Sequence, residues 1–422
     1  MPPVLLRPEI ALFQSVRSAS QRSFARLAWS NLFAQFSEQV ALAAAPLVAV
    51  LLLAASATDT GLLQTAQTLP FLLLSIPAGI LTDRRSRRGL MTGAEILRAA
   101  SLLATLFCIG THFLSLEVLA ALGFLGAAGT VCYSVAAPAL VPGIVRRDEL
   151  AGANRWLELA RSTAFAAGPA IGGAVVGFLG GSAAYALATA LSVFAALLLA
   201  GINEGARPSQ ARRHLLHELR EGAGFIFGNL YLRPILFTAV VFNTSWFVLQ
   251  SVYVAYAVHG LDLTAAEVGI TLGAYGFGMV TGALLAPRLG LHLSTGAMIG
   301  AGPLSALIAA VLMLTTIRWP SGVLAGASFF LFGAGPILWT ITTTTLRQSV
   351  TPNAMLGRVS ALIVTATFGA RPIGAGLGAL VAARFGTEAC LAAAAAGFVL
   401  QFLILFASPV LRLGHLPEEK TA

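Results

Sequence analysis

The segment Gly79–Met91 reads GILTDRRSRRGLM and comes directly after about twenty mostly apolar residues. Five of its thirteen residues are charged, namely Asp83, Arg84, Arg85, Arg87 and Arg88. In the whole chain only 10% of the residues are Asp, Glu, Lys or Arg. Such a dense basic run in an apolar chain is typical of a short loop that joins two membrane-crossing helices.

The composition of the chain supports this interpretation. The chain has 422 residues, of which 57% are hydrophobic, and its mean hydropathy is +0.84. Roughly a quarter of the residues of a soluble domain are charged, far more than here. A helix needs about 20 apolar residues to cross a hydrocarbon core about 30 Å thick, and blocks of that length recur along the chain. The sequence therefore predicts a polytopic membrane protein.

Twelve apolar blocks follow one another, at residues 27–55, 61–81, 90–111, 116–141, 150–179, 183–202, 232–258, 268–286, 293–317, 323–346, 354–383 and 390–410. The longest connection lies between the sixth and the seventh block and is basic. We therefore predict an all-α protein with twelve transmembrane helices in two six-helix bundles. Its segments are a tail at 1–26, a bundle at 27–202, a linker at 203–231, a second bundle at 232–410 and a tail at 411–422.

Weak matches between the two halves indicate an internal repeat. Residues 168–172 (GPAIG) match residues 374–378 (GAGLG) at an offset of 206. Arg26 and Arg233 precede the first and the seventh block at an offset of 207, and Gly79 and Gly282 end the second and the eighth at an offset of 203. Three similar offsets predict that the two bundles are pseudo-symmetric.

Arginine accumulates on one side of the predicted spans. The N-terminal segment, the loop at 84–88, the linker and the segments around Arg288 and Arg347 hold most of it, whereas the loops of the other side hold only Arg318 and Arg384. Because short basic loops remain in the cytoplasm, both termini are predicted to be cytoplasmic. The same placement explains the net charge of +9 without nucleic acid as a partner.

Several kinds of chemistry are absent from the sequence. Lys420 is the only lysine, so no Gly-rich phosphate-binding loop followed by Lys and Ser or Thr occurs. The three cysteines lie in apolar blocks without metal-ligand spacing, and no nucleophile constellation is evident. We therefore expect a protein that is not an enzyme and that holds neither a cofactor nor a metal.

The opening segment resembles the G-x-x-x-D-R-x-x-R-R signature of the major facilitator superfamily. The signature is matched position by position at Gly79, Asp83, Arg84, Arg87 and Arg88, while Ser86 replaces the usual glycine. Two other stretches, FSEQ at 36–39 and PNAMLGRVSA at 352–361, resemble the branch of macrolide and siderophore (enterobactin-type) exporters. The resemblance covers essentially the whole chain. It implies a bacterial inner-membrane transporter that exports drug-like compounds or a secreted metabolite.

The resemblance also implies a role for the loop. In the family, the loop acid docks against the opposite half when the cytoplasmic side is closed. The eleventh span begins Thr351-Pro352-Asn353, which favours a helix start, and a helix start carries about half a positive charge. We therefore expect Asp83 to act as a latch against that start. The rest of the motif, Gly79, Arg84, Arg87 and Arg88, would hold the loop, whereas Arg85 is expected to serve topology alone.

A second match lies in the fifth span, where residues 164–173 read AFAAGPAIGG. This resembles the G-P-x-x-G-G core found in exporters that exchange substrate for protons, and it matches at Gly168, Pro169, Gly172 and Gly173. Small residues let helices approach closely. We therefore expect a packing surface here, and the resemblance implies a seal between the halves against ion leak.

Ionisable residues inside the spans are candidates for proton coupling. Glu38 lies about eleven residues into the first span, a depth of about 16 Å; it is either a proton carrier or a structural carboxylate paired with another helix. Two pairs at i, i+3 spacing share a helix face and either neutralise themselves or serve as a proton relay or a gate: Glu95 with Arg98, and Glu158 with Arg161. The fourth span lacks the buried arginine of many proton-coupled exporters, so Arg98, Arg161 or Arg371 would take its part.

Polar and aromatic residues predict a substrate cavity between the halves, near the midplane. The candidates are Asn31, Gln35, Gln64, Gln67, Asn243, Trp246, Gln250 and Trp339. A mixed amide and aromatic wall suits a bulky amphiphilic organic molecule, although each residue can equally pack between helices.

Three functions stay open at this point. The first is proton-coupled export by a monomeric antiporter of the multidrug-resistance or siderophore-export kind, with a small organic substrate, protons and the lipid bilayer as partners. The second is import of a small organic nutrient. The third is a sensor or scramblase that transports no solute.

Overall fold

A computed structural model describes residues 8–145, 149–202, 204 and 215–415 of the chain. This part is helical and contains no strand. Its helices are α1 (Pro8–Leu53), α2 (Ala57–Arg84), α3 (Arg87–Gly110), α4 (Leu116–Leu140), α5 (Leu150–Leu179), α6 (Gly181–Ala200), α7 (Leu215–Gly228), α8 (Leu232–His259), α9 (Ala265–Leu289), α10 (Thr295–Arg318), α11 (Gly322–Val350) and α12 (Asn353–Phe406).

The predicted fold class is confirmed by these helices. Ten of them are long and apolar enough to cross a membrane. The longest, α12, is interrupted at Gly386, whose φ of 83° and ψ of 176° are not helical, so it crosses as two arms, residues 353–385 and 387–406. With α2, which has 28 residues, the described chain crosses twelve times in two groups of six.

Two helices extend into segments that lack an apolar block. Helix α1 begins at Pro8, well before the first block, and no glycine or proline interrupts it until Pro46. Proline is favourable at a helix start because it has no N–H that needs a partner there. Helix α7 lies in the segment between the two bundles and packs on α12 through Ile226, Val359 and Ile363.

The internal repeat is visible in the backbone. Gly180 joins α5 to α6 with φ 83° and ψ 168°, and Gly386 joins the two arms of α12 with nearly the same angles. Only glycine adopts such a conformation readily. The starts of α2 and α9 also match, since Ser56 with Asp59 and Thr264 with Glu267 each form a complete capping box. The halves are thus pseudo-symmetric.

Alternation of the helices gives the bundle two distinct ends. One end, which we call the basic end, holds residues 84–88, the segment between α6 and α8, and the end of α12. The opposite end holds the turns at 54–56, 111–115 and 260–264. The halves meet where α5 packs on α9 and where α2 packs on α12, and the space between them forms the site described next.

Candidate functional site

A cavity of about 310 Å³ lies between the two halves. Its wall is built from both halves, chiefly from α1, α2, α3, α4 and α8, with one or two residues from each of α5, α6, α9 and α12. Gln64 on α2 and Gln250 on α8 line it and lie two to three turns from the opposite end, which at 1.5 Å per residue is about 10–14 Å. The cavity is therefore central in the bundle.

Some residues predicted to line the cavity do so, and others lie elsewhere. Gln64, Gln67, Asn243, Trp246 and Gln250 are part of the wall, whereas Asn31, Gln35 and Trp339 are not. Asn31 lies about two turns nearer the basic end than Glu38, is buried, and donates from Nδ2 to the carbonyl oxygen of Leu157 at 3.2 Å.

Trp339 contributes to packing within the second half. Its side chain lies on α11 against Gly302 of α10, where no side chain intervenes. Its Nε1 atom is buried and has no hydrogen-bond partner in the described part of the chain. Trp339 thus faces a helix contact and not the cavity.

Aromatic rings form much of the wall, and the sequence reasoning missed most of them. Phe71, Phe165, Phe242, Phe247 and Tyr275 line the cavity together with Trp246. The ring of Trp246 stacks on that of Tyr275 with centroids 4.9 Å apart. On α8 the positions 243, 247, 250 and 254 share one helix face, a spacing that the sequence does contain.

A cluster of three charged side chains lies on the first-half wall. The buried Glu95 accepts a hydrogen bond from Nη1 of Arg98 at 2.7 Å and another from Ser192 at 2.7 Å. Arg98 also donates to Thr130 at 2.7 Å, and its Nη2 lies 3.9 Å from Oε2 of Glu38. Both Arg98 and Glu38 line the cavity.

The two carboxyl groups of this cluster differ in how firmly they are held. The Glu95 side chain is 0% exposed, and each of its oxygens has a partner. The Glu38 side chain is 20% exposed, and within the described residues its only polar contact is the longer one to Arg98. Glu38 is therefore the carboxyl that can change partner or protonation state without breaking a hydrogen bond.

The second predicted pair is not part of the cavity wall, but Arg161 lies one helical turn from Phe165 of the wall, toward the basic end. Arg161 binds Glu158 at 2.6 Å, and the two side chains are 44% and 55% exposed. The guanidinium of Arg161 also lies 5.7 Å from the ring centre of Phe165. The i, i+3 spacing thus brings the two side chains into contact on one helix face.

Arg371 lines the cavity from the second half. Its guanidinium carbon lies 4.1 Å from the ring centre of Phe368, 5.4 Å from that of Phe71 and 5.5 Å from that of Phe247. Among the described residues it has no ion pair, and its Nε atom is buried without a hydrogen-bond partner. Arg371 is thus a positive charge held by aromatic faces at the contact of α2, α8 and α12.

The basic loop docks on its own half. Arg88 donates to the carbonyl oxygen of Ile202 at 2.9 Å, and Arg87 donates to that of Ala139. The carboxylate of Glu204, just after α6, accepts a hydrogen bond from the Ser86 hydroxyl at 2.6 Å. It also accepts hydrogen bonds from the backbone N–H groups of Arg87 and Arg88 at 3.2 Å each. Sequence reasoning did not single out Glu204.

Two other members of the predicted latch, Gly79 and Arg84, have no docking contact in the part of the chain that the structure describes. Gly79 has open space where a side chain would be, and Arg84 is exposed. The side chain of Asp83 lies outside the described residues. The latch across the halves therefore stays a prediction.

The glycines of the fifth span pack on two different helices. Gly168 and Gly172 face α1, where a Cβ at Gly172 would lie 3.0 Å from the carbonyl oxygen of Val40. Gly173 faces α9 of the other half, where its Cβ would lie 2.5 Å from Cα of Gly269. A Cβ at Gly269 would lie 2.9 Å from the carbonyl oxygen of Pro169. The two halves thus touch backbone to backbone.

Residues 16–419 match the model of a family described as transmembrane secretion effectors. The chain is similar to the Macrolide efflux protein A of Streptococcus pyogenes, with 23% identity over 332 residues that cover 76% of this chain and 80% of that protein. It is also similar to the Enterobactin exporter EntS of Escherichia coli O1:K1, with 28% identity over 263 residues, 61% of each chain.

Solved structures with the same fold are known transporters. A bacterial homologue of the iron transporter ferroportin in an inward-facing state has a TM-score of 0.74 at 16% identity, covering 92% of this chain and 98% of that one. A D-xylose-proton symporter has a TM-score of 0.69 at 15% identity, covering 95% and 98%. At these identities the likeness concerns the fold alone.

Proposed function

Because this chain belongs to the transmembrane secretion effector family and has the fold of major facilitator transporters, we propose that it exports a small organic molecule by alternating access, in exchange for protons. The substrate is a drug-like compound or a secreted metabolite such as a siderophore. The names of the relatives, an efflux protein and an exporter, support the outward direction over import.

The observation that carries the proposal is the central cavity. Its volume of about 310 Å³ lies at the lower end of the range of small-molecule sites, about 300–1,000 Å³. Amide side chains such as Gln64 and Gln250 supply hydrogen bonds, and the stacked pair of Trp246 and Tyr275 supplies a flat apolar face. This combination suits an amphiphilic molecule with ring systems and a few polar groups.

Proton exchange is assigned to Glu38. A charged side chain at such depth is costly unless it is paired, and the 3.9 Å contact with Arg98 is the pairing available to it. A proton on Glu38 removes that attraction, and Arg98 keeps its bonds to Glu95 and Thr130 in either case. Glu38 can therefore exchange a proton at the cavity wall, where a substrate competes for the same space.

Alternating access is supported by where the halves touch. The close approaches run from Gly61 to Leu72 on α2 and from Ala166 to Gly177 on α5, which are the parts nearer the opposite end. Nearer the basic end, Glu158 and Arg161 are half exposed. We infer a cavity that opens toward the basic end, which is an inward-facing state when that end is cytoplasmic.

Inside-out membrane vesicles test the proposal. Vesicles with the protein should accumulate a macrolide or enterobactin when their interior is acidified, and a protonophore should abolish the accumulation. Vesicles without the protein serve as the control. Accumulation that persists with the protonophore would show that transport is not driven by protons.

A further inference from the structure

A second cavity lies at the basic end of the second half, away from the central one. It is bounded by the end of α7, the first turns of α8 and the end of α12, and its volume is about 550 Å³. Its wall includes Phe227, Leu230, Arg233, Phe237 and Ile404. We call it the α8 groove.

The walls of the α8 groove are apolar and face outward from the bundle. Phe227, Leu230 and Phe237 are 51%, 60% and 45% exposed. The rings of Phe227 and Phe237 lie 6.2 Å apart, tilted toward each other. Exposed apolar surface on a membrane-crossing bundle faces acyl chains, so these walls are suited to hold part of a lipid.

Arg233 is the single charged residue of this wall. Its side chain is exposed and makes no hydrogen bond or ion pair with any residue that the structure describes. Arg88, at the same end of the bundle, is instead hydrogen-bonded to the carbonyl oxygen of Ile202. The planar guanidinium carries donors in a fork that fits the oxygens of a phosphate group. The groove thus combines an anion-binding group with apolar walls.

The position of Arg233 along its helix sets its depth. It is the second residue of α8, and Ile404 on the opposite wall is two residues before the end of α12. Both helices enter or leave the membrane there, so Arg233 lies at the level where headgroups meet the hydrocarbon. Phe237, one turn further along α8, lies deeper, where acyl chains begin.

We propose that the α8 groove binds an anionic phospholipid, with the headgroup phosphate on Arg233 and an acyl chain along Phe237 and Ile404. Anionic lipids are attracted to basic segments beside membrane-crossing helices, and the basic end carries most of the arginines. A free phosphate would leave the apolar walls unused. This site is independent of the substrate cavity, so it stands whether or not the export proposal holds.

Native mass spectrometry of the purified full-length protein tests the site. Phosphatidylglycerol and phosphatidylcholine with identical chains are titrated against the wild type and variants. We expect the wild type to retain phosphatidylglycerol more strongly. Arg233→Gln should weaken that lipid about fivefold, the effect of about 1 kcal/mol for one arginine near the surface, and should leave phosphatidylcholine unchanged.

Three further variants sharpen the test. Arg288→Gln is the matched control, because Arg288 is exposed in the last turn of α9, at the same end and in the same half but outside the groove. Arg233→Lys should keep most of the preference for phosphatidylglycerol, and Phe237→Ala should weaken both lipids. Equal loss in Arg233→Gln and Arg288→Gln, or no preference in the wild type, would overturn the proposal. A dimer that forms without lipid and dissociates in Phe237→Ala would also overturn the proposal, because the groove would then bind a second copy of this chain.

Discussion

Arg98 and Glu38 face each other across the cavity wall, with Nη2 of the arginine 3.9 Å from Oε2 of the glutamate. The separation is longer than a hydrogen bond, so the attraction is Coulombic and depends on the charge of Glu38. A single proton can therefore switch this contact off without disturbing the rest of the cluster.

Replacing Glu38 should separate transport from proton movement. Glu38→Gln removes the charge but keeps the shape, so we expect normal folding and substrate binding while accumulation against a gradient is lost. Accumulation in vesicles at imposed pH gradients measures the effect. Glu158→Gln is the matched control, because its partner Arg161 is half exposed, and it should transport normally. If Glu38→Gln concentrates substrate as well as the wild type, Glu38 is structural.

Replacing Asp83 should bias the protein toward the inward-open state. A carboxylate at a helix start stabilises by about 0.3–1 kcal/mol, and by up to about 2 kcal/mol when partly buried. Asp83→Asn should therefore shift the equilibrium several-fold and slow transport without unfolding the protein. Arg85→Ala should do little. Distance probes on the end of α2 and the start of α12 measure the shift; unchanged distances in Asp83→Asn with an opening in Arg85→Ala would contradict the latch.

A bulky side chain at Gly173 should block the contact between the halves. A Cβ there would already lie 2.5 Å from Cα of Gly269, so Gly173→Leu must push α5 away from α9. We expect transport to fall at least tenfold and the proton permeability of proteoliposomes to rise. Gly152→Ala on the same helix meets open space and should be harmless. A fully active, tight Gly173→Leu variant would show that this contact is dispensable.

Cysteine labelling of intact cells tests the orientation. With the basic end in the cytoplasm, a membrane-impermeant reagent should reach cysteines placed at Asp59 and Asp262, which lie at the opposite end. It should not reach one at Ser86 unless the cells are permeabilised. Labelling of a cysteine at Ser86 in intact cells would show that the basic end lies outside the cell and would contradict the predicted orientation.

The sequence was sufficient for the fold because hydrophobic length and repetition are local properties. Twelve blocks predicted the twelve crossings, and the offset of 206 found between GPAIG and GAGLG is also the offset between Gly180 and Gly386, which share a φ of 83°. The gap in the middle of α12 was predicted as a loop, although a single glycine makes the turn.

The candidate site was only partly predictable. Residue type and membership of a span were enough to single out Asn243 and Gln250, which line the cavity. Asn31 was misplaced because membership of a span does not fix depth relative to the cavity. The contact of Glu38 with Arg98, and the aromatic surroundings of Arg371, depend on how separate helices pack, which spacing within one helix does not encode.

The turns at Gly180 and Gly386 have a mechanical consequence. Each joins two membrane-crossing helices through one non-helical residue, and so short a turn prevents one helix from sliding along the other. Each helical hairpin must then move as a rigid body that pivots near the opposite end. A small rotation at the seam of α5 and α9 therefore becomes a larger displacement some 30 Å away along helices of this length, at the basic end. The size of the displacement at the basic end therefore depends on how rigid the turns at Gly180 and Gly386 are.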